Sequence, residues 1–150
     1  MPYEGTLEED KKLPGVQRFS TSTSDNNFEI FRVDLRYIPK YNPDVALTTS
    51  ALSGLYDKAS RQYNRQVIKG KLLSEGNVMF AGSPARAALY KGFDDYHQLP
   101  THIETVWVWH GDAIYLFTCS YTLPETEGSV ADKKQFLMSV RFEDAVVKEL

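Results

Sequence analysis

The side chains best equipped for chemistry crowd into residues 93–110. Asp94, Asp95 and His97 fall within four positions, and two carboxylates beside an imidazole could hold a divalent cation or exchange protons. Three polar residues in one loop have a simpler reading as a solvated turn. His102, Glu104 and His110 share one face of an alternating stretch, but an extended strand rises ~3.3 Å per residue, so the two histidines stand ~26 Å apart and cannot meet on one ion. Cys119 is the one cysteine. It lies mid-strand, which favours a buried, inert thiol over a nucleophile and leaves no internal disulfide. Gly82-Ser83-Pro84 leads into a strand rather than a helix, so it is no phosphate loop. No nucleophile-elbow pattern occurs. Trp107 and Trp109 could line a pocket, although as core residues each needs only a partner for its indole N–H. No residue is assigned a catalytic, metal-binding or cofactor-binding role, and no cofactor is implied. Phe93, Asp94, Asp95, Tyr96 and His97, with Trp107 and Trp109, form the candidate partner surface.

Composition narrows the classes further. A chain of 150 residues with 42% hydrophobic and 25% charged residues is an ordinary globular domain, long enough to bury roughly 70% of its unfolded surface. An aromatic share of 13% points to a β-rich core or an adhesive surface. A net charge of −3 argues against nucleic acid as a partner. No window approaches ~18 consecutive apolar residues, so no transmembrane helix is expected, and a membrane tether would lie outside this sequence.

The elements that must position these residues follow from periodicity. Residues 101–122 read as a long hairpin about Gly111-Asp112, with Ile103, Thr105, Trp107 and Trp109 on one face and His102, Glu104, Val106, Val108 and His110 on the other. Residues 16–23 and 28–37 form a second hairpin about a Ser-Asp-Asn-Asn turn. Leu52, Leu55, Tyr56, Ala59 and Tyr63 recur at helical spacing within a helix expected from Asp44 or Ser50 to about Arg65, whose outer face carries Asp57, Lys58, Arg61 and Arg65. Residues 67–80 read as a strand bent at Gly70 and Gly76, residues 85–91 as another, and residues 92–100 as a long loop. Thr126 or Ser129 caps a last helix that turns Val130, the Lys133 stem, Phe136, Leu137 and Val140 toward the sheet. Residues 1–15 form a charged arm or edge strand. The prediction is a single α+β domain over residues 1–150: an antiparallel sheet of about six to seven strands with two main helices packed on it, both drawn as a roof on one face.

Residues 45–142 resemble the PsbP-like family. The resemblance is carried by an ordered set: the helix, Lys71-Leu72-Leu73-Ser74-Glu75, Val78-Met79-Phe80, the turn Ala81-Gly82-Ser83-Pro84-Ala85-Arg86, Gly111-Asp112, Tyr121-Thr122-Leu123-Pro124, and the closing Phe136-Leu137-Met138-Ser139-Val140-Arg141-Phe142. The family includes the photosystem extrinsic protein and bacterial exported proteins and lipoproteins, and its fold is shared with a Ran-binding nuclear import factor. The resemblance implies a fold, offers no catalytic motif to carry over, and favours an extracytoplasmic or membrane-tethered location. It leads to the expectation of a non-enzymatic binding or accessory module with a protein partner. The alternatives are a small-ligand carrier or enzyme with a pocket between sheet and helices, and a cation-binding structural protein using Asp94 and Asp95.

Overall fold

The computed structural model describes residues 6–9, 15–37, 49–95 and 97–142. Seven antiparallel strands form one sheet: β1 (Thr6–Glu9), β2 (Val16–Ser22), β3 (Asn27–Asp34), β4 (Lys71–Phe80), β5 (Ser83–Asp94), β6 (Leu99–His110) and β7 (Ala113–Thr122). Their spatial order is β1-β2-β3-β7-β6-β5-β4. The chain therefore makes a three-stranded meander, crosses to the far edge, and returns as a four-stranded meander that closes on β3. Among the described residues two α-helices accompany the sheet, α1 (Thr49–Tyr63) and α2 (Glu127–Met138).

The 101–122 hairpin occupies the middle of the sheet with the register its turn predicts. His110 pairs with Ala113 and Thr101 with Thr122, and Gly111 takes the positive φ of 61° that the turn requires. Alternation then decides the faces. Trp107 pairs with Leu116, which pairs with Phe31, while Glu104 pairs with Cys119, which pairs with Phe28. These two sets point to opposite sides of the sheet.

The helices divide between those sides. Tyr63 of α1 meets Trp107 and Tyr90 edge-on, with ring centroids 5.6 and 6.2 Å apart. Phe136 of α2 stacks on Phe28 at 4.3 Å. The expected roof of two helices over one face is thus corrected: α1 covers one face and α2 the other. Both faces of the central strands carry apolar residues because both are roofed. The main core lies under α2, where Phe28, Val108, Phe117, Cys119 and Phe136 are each at most 3% exposed.

Several boundaries also move. Residues 92–94 and 99–100 are strand, since β5 runs to Asp94 and β6 starts at Leu99. Cross-strand pairing of Phe93 with Pro100 and Asp94 with Leu99 overrides the local turn signals. The first helix starts at Thr49, and the Asp44 cap lies outside the described residues. At its far end a π-helical turn, Asn64–Ile68, takes residues 67–68 out of the expected strand. Gly70 follows, where a Cβ would run into the Lys91 carbonyl, so close approach of the backbones requires glycine. The strand bend is a bulge at Leu73, between Leu72 and Ser74, and not at Gly76. Residues 35–37 leave β3 as a 3-10 turn. Thr126 caps α2, its hydroxyl accepting from the Ser129 amide at 3.0 Å. Val130 is 47% exposed, because Ser129 takes the buried position and exchanges hydrogen bonds with Asn26.

Candidate binding groove

Two ionic clusters fix where the helices sit. Under α1, the Arg86 guanidinium is buried and donates to Asp57 of α1, to Glu75 of β4 at 3.0 Å, to the Ser53 hydroxyl at 3.0 Å and to the Asn77 side chain at 2.9 Å. Arg61 adds a contact to Glu75 at 2.8 Å. Burial works against the charge on Arg86, and the hydrogen bonds to Asp57 and Glu75 outweigh it. The hydrogen bond from Arg86 in turn lowers the Asp57 pKa. Asp57 and Arg61, expected on a merely solvated face, are therefore part of the clamp that seats α1. Tyr56 reinforces it, donating to the Pro84 carbonyl at 3.2 Å and accepting from the Trp109 amide at 2.8 Å.

On the other face, Lys133 of α2 reaches Glu104 at 2.5 Å and Glu125 at 3.0 Å, and its ammonium lies 4.8 Å from the Tyr121 ring centroid. Tyr121 donates to the same Glu104 carboxylate at 2.6 Å. Burial, then the hydrogen bond to Glu104, pushes the Tyr121 hydroxyl pKa upward. Lys133 thus points at the sheet as its helical position predicts, and Glu104 serves as its counter-ion.

α2 covers the β3–β7 side of its face and leaves the β4–β6 side open. There Gly76, Val78, Ala87, Leu89 and Val106 form the floor of a groove of about 450 Å³, with Leu137 of α2 as one wall and Glu104 at its end. The groove exists because the floor side chains are small. A Cβ at Gly76 would meet nothing within 4 Å. Its two carboxylates, Glu75 and Glu104, are already engaged with cations and donors. Cys119 borders the groove on its β7 side, 1% exposed, and burial first, with Glu104 adding to it, raises its thiol to about 12. The surface suits apolar contact, and the thiol beside it is buried.

The structure disperses the residues proposed from sequence. Trp107 sits under α1. Its indole nitrogen is buried with no hydrogen-bond partner of ordinary geometry among the described residues, although the Tyr90 hydroxyl faces it. The Trp109 indole donates to the Gly111 carbonyl at 3.1 Å. Asp94 and His97 pair with each other at the opposite end of β6, through Nδ1 at 2.7 Å and the His97 amide at 3.1 Å. Asp95 is exposed, and Tyr96 lies outside the described residues. Phe93 is 54% exposed and shares its strand face with Ala87 and Leu89, so it lies in line with the groove. Among the described residues, no three or more His, Cys, Asp or Glu side chains converge as metal ligands, and no helix is long and apolar enough to cross a membrane. Sequence reasoning missed the groove because its signal, Gly76 beside Ala87, appears only once β4 and β5 are in register.

No family model matches the chain, and no curated protein does. Among solved structures, the chain is similar to PA94 from Pseudomonas aeruginosa, a protein of unknown function, at a TM-score of 0.60 and 14% identity, over 94% of this chain and 99% of that one. At this identity the likeness is one of fold.

Proposed function

We propose that this chain is a non-enzymatic binding module of PsbP-like fold that holds an apolar segment of a protein partner on the α2 side of its sheet. The observation that carries the reading is the β4–β6 groove, an apolar trough whose ionisable neighbours are already neutralised. It replaces the two tryptophans as the centre of the surface, and Phe93 extends it. An exposed apolar floor rimmed by polar side chains is the usual form of a site for a hydrophobic partner segment.

Photo-crosslinking tests this directly. A benzoylphenylalanine at Leu89 is expected to capture a defined protein in host cells, whereas the same probe at Arg65, on the outer side of the π-helical turn, captures none. Ala87→Trp, which fills the trough over Gly76, is expected to abolish the Leu89 adduct. Equal capture from both positions, or an Ala87→Trp variant that still cross-links, overturns the reading. A small molecule copurifying in the groove would replace it with the ligand-carrier alternative.

A further inference from the structure

The two edges of the sheet differ. β1 is four residues long, short in the manner of guarded edges. β4 is ten residues long, pairs only with β5 among the described residues, and exposes Leu73, Val78 and Met79. Its charges are Lys71 and Glu75, and Arg86 and Arg61 occupy the Glu75 carboxylate. From Ser74 to Phe80 the rim holds no proline, no bulge and no charge other than the paired Glu75.

The hairpin turn fixes which backbone groups that rim presents. Ala81 and Gly82 both have positive φ, 49° and 83°, and close a two-residue turn on the pair Phe80–Ser83. Such a turn makes Phe80–Ser83 a hydrogen-bonded pair, so Phe80, Val78, Gly76 and Ser74 direct their amides and carbonyls at β5. Glu75, Asn77 and Met79 then direct theirs outward. The bulge at Leu73 limits the regular run to residues 74–80, and its midpoint is Asn77.

We propose that β4 is a homodimerisation edge: two copies of this chain pair their β4 strands antiparallel about a two-fold axis at Asn77, joining two seven-stranded sheets into one. This register puts Asn77 opposite Asn77 and Glu75 opposite Met79, each presenting outward groups, for about six new backbone hydrogen bonds. On the α2 face it sets Val78 over Gly76 and Phe80 over Ser74 of the other copy, large against small on both sides of the axis. Moving the axis to Gly76 sets Met79 against the bulged Leu73 and glycine against glycine. Moving it to Val78 runs Glu75 into the turn. The helices leave room, because α1 lies over β5 and β6. The two β5 strands would be three strand spacings apart, about 14 Å, more than the 10–12 Å width of a helix.

The test uses the purified 150-residue chain. Sedimentation at micromolar concentration is expected to give twice the 17.1 kDa chain mass. Met79→Pro removes an outward amide that the monomer does not need, and is expected to give a monomer with unchanged far-UV circular dichroism. Mixing Gly76→Cys with Val78→Cys chains under mild oxidation is expected to give the mixed disulfide in several-fold excess over either symmetric one, with buried Cys119 silent. A monomeric wild type overturns the proposal, as does a dimer that survives Met79→Pro. A Gly76→Cys symmetric disulfide in excess of the mixed one overturns the Asn77 register.

Discussion

Arg86 sits on β5 with 5% of its side chain exposed and acidic partners on two different elements, Asp57 and Glu75. Removing it would leave Glu75, itself largely covered, facing a space sized for a cation. Arg86→Met is expected to cost about 3 kcal/mol, the lower end of breaking a buried pair, read from the urea midpoint by circular dichroism. Asp34 is a different case. Hydrogen bonds from Arg36, at 2.6 and 2.9 Å, bring its carboxyl from 3.8 to about 2. A depressed folded-state pKa gives stability that is present above 3.8 and drains away as pH falls toward 2. Arg36→Ala is therefore expected to be less stable than wild type between pH 3.8 and neutrality, with the difference shrinking as pH falls toward 2. Equal acid midpoints for the two proteins would count against the contact. Cys119 should resist alkylation at pH 8 while folded and react fully in denaturant, since burial holds its thiol near 12.

Among the elements, the central hairpin, the 85–91 strand and the spacing of Leu52, Tyr56, Ala59 and Tyr63 were legible because each depends on alternation or helical period alone. Residues 92–94 were not, since Gly92-Phe93-Asp94 has turn chemistry and becomes strand only through pairing with β6. The placement of α1 and α2 on opposite faces was likewise hidden. An amphipathic pattern says which side of a helix is buried but not which side of a sheet it seeks. Phe136 illustrates what the α2 contact contributes. It is 0% exposed and stacked on Phe28, so Phe136→Ala should cost about 3–5 kcal/mol in denaturant titration. Gly70→Ala should be comparably harmful despite exposure at that position, because the β4–β5 backbone would have to part.

For the molecule as a whole, the strand order brings the last strand of the returning meander back onto β3 and leaves β4 at the rim. The same arrangement leaves the β4–β6 floor uncovered by α2. Composition pointed to one globular domain with a β-rich core or an adhesive surface, the order of the periodic elements pointed to its α+β class, and the family resemblance led to expectations of its layers. The groove lay beyond both, since it is a property of three strands in register and of where one helix stops short.

The split of the helices also has an optical consequence. Both indoles of the chain, Trp107 and Trp109, belong to the α1 side, whereas Phe28, Phe117 and Phe136 fill the other. Ultraviolet emission from this protein will report the docking of α1 and stay nearly blind to α2, so a probe that follows both helices is needed before its unfolding is described as a single step.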